Sequence, residues 1–148
     1  MQKGSKTDFE KAVLPSVPMK NCLIESSLAV LGHKWTLLIL RNIGFLKMER
    51  FNQMLRVTPR LTPRVLSMRL AELEKSGLIK RTEECSSPKI VRWTLTSKGK
   101  DALPILMSII EFGSRWYADE VFEDKPRTLE ELFPQIENIV KDKRYKII

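Results

Sequence analysis

Residues 61–81 read LTPRVLSMRLAELEKSGLIKR, and the architecture of the chain turns on how this stretch divides. Thr62 can cap a helix with its hydroxyl, and Pro63 suits the first helical position, where a missing N–H costs nothing. Val65 stands where Glu or Gln would complete a capping box, so the reciprocal bond is not expected. From Pro63 to about Ser76, Leu66, Leu70 and Leu73 recur at i, i+4 and i+7, the spacing of one buried helix face. Each contributes roughly 1.5–3 kcal/mol when fully buried. Gly77 follows as a left-handed C-cap, and Leu78 is placed to fold back on Leu73. At about 100° per residue, Arg64, Met68, Ala71 and Lys75 lie on the opposite face. That face is either solvated surface or the part of the protein that meets a partner.

Upstream, VTPRLTPR supplies a turn, since each proline disfavours helical geometry in the residue before it. Three helical patterns precede the turn. Ile24, Leu28 and Leu31 make a stripe that starts after Cys22 and ends at Gly32. Trp35, Leu38, Ile39 and Ile43, broadened by Leu37 and Leu40, form a helix apolar enough for the centre of a core. Phe51, Met54 and Leu55 mark a short third helix. Downstream, IKRTEE and KIVRWTL alternate apolar and polar residues around CSSPK, the pattern of a β-hairpin.

Thr96 or Ser97 then starts a long helix through LPILMSIIEFGSRWY, in which Pro104 predicts a kink or break. Its apolar residues exceed one stripe. Part can pack on its own domain, and the rest calls for the same helix of a second chain. Leu103, Leu106, Met107, Ile110 and Trp116 are the expected dimer contacts. TLEELFPQIENIV carries a capping box, Thr128 with Glu131, and Pro134 divides it into two short helices. Residues 1–20, with Gly4, Pro15 and Pro18, read as an irregular arm with at most one short helical turn. The expected organisation is an arm over 1–20, a core over 21–100, and dimerisation helices with an extension over 101–148.

Composition narrows the function. A hydrophobic content of 43% and a charged content of 30% belong to a globular protein. No apolar run approaches the roughly 20 residues of a membrane helix. The first residues contain no secretory apolar segment, so a cytoplasmic protein is expected. Two cysteines, Cys22 and Cys85, make no disulfide framework, and one histidine, His33, leaves little for metal or triad chemistry. No cofactor, metal site or enzymatic activity is expected. The net charge of +8 is unevenly placed. Residues 21–100 hold 15 basic and 6 acidic side chains, a balance of +9, while residues 1–20 carry +2 and residues 101–148 carry −3. Such an imbalance points to a polyanion partner for the middle segment.

Three helices followed by a hairpin make a mostly α (α+β) winged helix-turn-helix, whose helix after the turn enters the DNA major groove. The side chains suit this. Arg64 can donate two bonds to guanine O6 and N7, Ser67 can reach a base or phosphate, Met68 can pack on a thymine methyl, and Ala71 permits close approach. Thr58, Arg60 and Thr62, with Pro63 at the helix start, are placed to hold phosphates. Lys75, Lys89 at the wing tip (85–89) and Arg92 on its strand add positive charge. The expected partner is double-stranded DNA. Competing readings are an architectural protein that binds DNA with little sequence preference, and a winged helix repurposed for an acidic protein.

From Cys22 to about Trp116 the chain resembles the HxlR family of winged-helix regulators. The residues that carry the likeness are Cys22, GHKWTLLILRNI at 32–43, RFNQML at 50–55, LTPRVLSMRLAELEKSGLIKR at 61–81 and VRWTLTSKGK at 91–100. The resemblance implies a dimeric, cytoplasmic transcriptional regulator that binds an operator with two related half-sites. It also implies that the terminal helices build the dimer. Because some members use a cysteine at the position of Cys22 to sense oxidants or electrophiles, Cys22 is a candidate redox sensor, and its helix N-terminus with Lys20 and Lys34 nearby is suited to a reactive thiolate. The alternative is that Cys22 simply packs as a small apolar residue. His33 in place of a second glycine, Trp93 in place of a tyrosine and an acidic C-terminal extension depart from the family pattern. Added dimer contact is the simplest account of the extension.

Overall fold

The computed structural model describes residues 18–125 and 127–134. In order these form α1 (Leu23–Leu31), α2 (Thr36–Gly44), α3 (Phe51–Val57), α4 (Pro63–Lys75), β1 (Ile79–Glu84), β2 (Ile90–Leu95), α5 (Ser97–Asp101), α6 (Leu103–Trp116), α7 (Ala118–Val121) and α8 (Leu129–Leu132). The short turn read within residues 1–20 and the helix expected beyond Pro134 lie outside the described residues.

The core gathers around α2. Ile39 and Leu40 are fully buried and Ile43 nearly so, and Met54 of α3 with Leu66, Leu70 and Leu73 of α4 close over them. Gly44 lets α6 come in: a Cβ there would stand 2.5 Å from Leu103 Cδ2. The stripe of α1 behaves differently. Ile24 and Leu28 are 70% and 55% exposed, because α1 leaves α2 at a bend of 74° and only Val30 and Leu31 at its end pack on the core.

α4 forms as its sequence dictates. Thr62 Oγ1 accepts the Val65 N–H at 3.3 Å, and Pro63 occupies the first position. At the other end Gly77 takes φ +77°, its N–H donates to Glu74 O at 3.0 Å and the Leu78 N–H donates to Leu73 O at 3.0 Å. This is the Schellman arrangement, which turns the chain sharply into β1. The hairpin pairs Ile79 with Leu95 through to Glu84 with Ile90, leaving 85–89 as the loop. The hairpin is tied to the helical body by the Trp93 N–H, which donates to Glu49 O at 2.9 Å, and by Trp93 stacked at 6.4 Å from Phe51.

Pro104 breaks the long helix as expected. Without an N–H it cannot bond back to Lys100, so α5 ends at Asp101 and α6 starts afresh with Pro104 in its first turn. Thr96 binds α5 to the end of α4. Its hydroxyl donates to Gly77 O at 2.5 Å and accepts the Gly99 N–H at 3.1 Å, while Lys98 Nζ donates to Ser76 O at 2.7 Å. Thr128 and Glu131 exchange both capping-box bonds, at 2.9 and 3.3 Å, and Phe133 beside α8 stacks on Phe45 at 5.1 Å.

One dimer expectation needs correction. Leu103 and Leu106 are only 4% and 5% exposed and belong to the chain's own core, while Met107 and Ile110 pack partly against it. The other face of α6 carries Ile105, Ile109, Phe112 and Trp116, 44–68% exposed, at i, i+4, i+7 and i+11. Of the five residues expected in a dimer contact, Trp116 alone lies on that outward stripe.

The close packing at Gly99 yields a paired prediction. A Cβ there would stand 2.0 Å from the Leu78 carbonyl oxygen, whereas at Gly113 nothing lies within 4 Å. In urea unfolding, Gly99→Ala is expected to lose about 1–3 kcal/mol or more through overpacking. Gly113→Ala, inside α6, is expected to gain about 0.5–1 kcal/mol.

Candidate nucleic-acid interface

α4 stands with Leu66, Leu70 and Leu73 in the core and Arg64, Ser67, Met68, Ala71 and Lys75 exposed on its outer side. None of these three polar residues forms a salt bridge among the described residues, so their donors are available to a ligand. Arg69, on the flank, is held by Glu72 one turn on.

The turn before α4 has two parts. Arg60 is exposed and takes φ +72°, a left-handed conformation that costs a non-glycine residue roughly 1–2 kcal/mol. The Leu61 N–H donates to Thr58 O at 3.2 Å and closes the turn around it. Arg60 and Thr62 therefore flank the exposed start of α4. Thr58 does not. Its side chain is 3% exposed, and its hydroxyl accepts a hydrogen bond of 2.7 Å from Asn42 Nδ2. The residue is structural, because the amide of α2 reaches it before solvent does.

Asn42 is the buried polar residue that periodicity overlooks. It is fully buried in α2, and its Oδ1 accepts from Arg41 Nε at 3.2 Å and Nη2 at 2.8 Å. Burial pulls the Arg41 guanidinium below its ordinary pKa. The one signal in the sequence is an asparagine amid LLILRNIG, where every other buried position is apolar or small.

The wing carries less free charge than its composition promises. Glu83 holds Arg81 at 2.5 Å and Lys89 at 3.7 Å. Arg92 bonds to Glu84 and lies 3.6 Å from Glu49, and the Glu84 hydrogen bond raises its pKa further. Arg92 thus latches the hairpin to the loop before α3 instead of offering a free cation. Lys89, 79% exposed, keeps the most open position at the tip.

Cys22 is exposed at the N-cap of α1, and Cys85 is exposed in the wing loop; both thiols are free. Among the described residues no group of His, Cys, Asp and Glu is arranged to hold a metal ion, and no single helix is long and apolar enough to cross a membrane.

Three helices, a capped helix with an outward polar face and a two-stranded hairpin define a winged helix-turn-helix protein. The HxlR-like helix-turn-helix family matches residues 30–121, and the chain belongs to it. A helix-turn-helix-type transcriptional regulator of Methanothermobacter thermautotrophicus is 38% identical over 95 residues, which is 64% of this chain and 72% of that protein. Among solved structures, the redox regulator HypR in its oxidized form superposes with a TM-score of 0.59 at 32% identity, covering 64% of this chain and 96% of HypR. The reduced form of the transcriptional regulator YodB from Bacillus subtilis gives a TM-score of 0.56 at 25% identity, over 66% of this chain and 95% of YodB. The protein is accordingly a transcriptional regulator and not an enzyme.

The Asn42–Thr58 pair sets a second prediction. Thr58→Val leaves the buried amide without an acceptor and is expected to cost about 1–3 kcal/mol in denaturant unfolding. Thr58→Ser keeps the hydroxyl and is expected to retain most of that stability.

Proposed function

We propose that the protein is a sequence-specific, cytoplasmic DNA-binding regulator that acts as a homodimer on an operator with two related half-sites. The observation that carries this reading is the outer face of α4: Arg64, Ser67, Met68, Ala71 and Lys75 all exposed, within a segment of net charge +9. Laid in a major groove, the N-terminal part of α4 meets base edges. Arg64 reads guanine through O6 and N7, Ser67 reaches a base or a phosphate, Met68 packs on a thymine methyl, and Ala71 allows the helix to approach. Arg60 and Thr62, with the N–H groups behind Pro63, hold phosphates at the helix start. Lys75 at the far end and Lys89 at the wing tip add charge toward the backbone. The strain at Arg60 fits this role, since left-handed non-glycine residues gather where function requires them.

The dimer is supported by the apolar surface the single chain leaves open. Ile105, Ile109, Phe112 and Trp116 of α6 and Leu23, Ile24 and Leu28 of α1 are each at least 44% exposed. A second copy covers such a face by two-fold symmetry and brings a second α4 to the DNA. The exposed thiol of Cys22, beside Leu23 and Ile24, is the point at which an oxidant or electrophile acts on that assembly.

A selection of genomic fragments by purified protein at near-physiological salt, run beside Arg64→Ala, tests the reading. The expected result is one two-fold symmetric motif that loses a single base preference in the variant, at a cost of about 1–3 kcal/mol. Fragments bound without a motif, and weakened uniformly by the variant, would show an architectural protein instead.

A further inference from the structure

Between α1 and the last turn of α4 lies a cleft of about 440 Å³. Ala29, Val30 and Leu73 give it apolar walls, and His33, Thr36 and Lys75 bring polar groups to it. Glu72 and Ser76 also line it, but Glu72 is engaged by Arg69 and the Ser76 hydroxyl donates to Leu73 O at 2.9 Å. The volume is that of a site for a small metabolite.

Three observations converge on residues 33–36. The nine-residue helix α2 begins here without a side-chain cap: Trp35 precedes it and takes part only through its backbone carbonyl, which accepts the Ile39 N–H at 2.9 Å. The Thr36 N–H donates to His33 O at 3.1 Å, which leaves the next two N–H groups of the first turn for solvent or a ligand. Thr36 itself is 2% exposed, yet its hydroxyl has no hydrogen-bond partner among the described residues. Thr36 lines the cleft. Finally, Trp35, the chain neighbour of Thr36, takes φ +78°, a strained conformation for a bulky residue.

We propose that this cleft binds a small organic carboxylate as an effector. The carboxylate sits against the first turn of α2, where the helix dipole and free N–H groups favour an anion, with the Thr36 hydroxyl and the Lys75 ammonium as further donors. The apolar body lies on Ala29, Val30 and Leu73. Apolar walls and one lysine suit a carboxylate with a hydrocarbon body better than a bare, multiply charged oxyanion. Because one wall belongs to α1 and the other to α4, an occupant biases the angle between the outward apolar face and the DNA-reading helix. Its binding is then linked to DNA affinity. That consequence rests on the DNA-binding reading; the binding itself does not.

The test uses the full chain without DNA. Isotope-labelled protein is titrated with phenylacetate and hexanoate, with their neutral amides, and with inorganic phosphate, following backbone amide shifts. The expected result is saturable, millimolar binding of a carboxylate, with shifts at 29–37 and 72–76, and binding of the amide and of phosphate weaker by about tenfold or more, ~1.4 kcal/mol. Lys75→Gln, on the surface, and Thr36→Val are each expected to weaken the carboxylate about tenfold, ~1.4 kcal/mol. Absence of saturable shifts, equal binding of the amides or of phosphate, or binding indifferent to Lys75→Gln would overturn the proposal. Since no DNA is present, a failed titration leaves the operator reading standing, and a failed operator selection leaves the site standing.

Discussion

A single buried amide sets the direction of α4, the helix of the proposed DNA contact. Asn42 lies in the last turn of α2, its oxygen filled by Arg41 and its nitrogen 2.7 Å from the hydroxyl of Thr58. Thr58 opens the turn that leads through Arg60 to the start of α4. An amide buried without a partner costs far more than the bond is worth in solvent, so the pair excludes packings that hydrophobic contact alone would tolerate. The opposite end of α4 is fixed by different chemistry. Gly77 turns the chain, and Thr96 and Lys98 bond the carbonyls of Gly77 and Ser76 from the far side of the hairpin. With both ends held, the outer face of α4 is presented as a rigid surface.

What surrounds that helix is of two kinds. The wing is internally neutralised: Glu83, Glu84 and Glu49 engage Arg81, Lys89 and Arg92, so the hairpin braces the domain more than it attracts phosphate. The apolar stripes of α1 and α6 face outward, and large exposed apolar patches mark interaction sites. Between these lies the cleft at the N-terminus of α2, which touches both the outward α1 and the last turn of α4. In the proposed mechanism, dimer geometry, the effector and DNA thus meet in one small region.

Much of this was legible in the sequence, and the losses have physical reasons. The limits of α4, its cap, its glycine stop and the hairpin loop at 85–89 follow from local chemistry that tertiary structure does not override. Pro104 broke its helix because a missing N–H has the same consequence in any context. Periodicity was weaker at choosing between two apolar faces. Leu103 and Leu106 are as hydrophobic as Ile105 and Ile109, and only the approach of α6 over Gly44 decides which pair is covered. Side-chain polarity likewise misplaced Thr58 and Arg92. A threonine in a turn and an arginine on a strand are usually exposed, and here a partner distant in sequence claimed each: Asn42 for the first, Glu49 with Glu84 for the second.

In the proposed complex, two copies present two α4 helices to one face of DNA. Hydroxyl-radical footprinting on a selected site measures this most directly. Two protected patches related by two-fold symmetry are expected, with centres about 34 Å apart, one helical turn or a multiple of it. Protection confined to a single half-site, or spread evenly without periodicity, would contradict it.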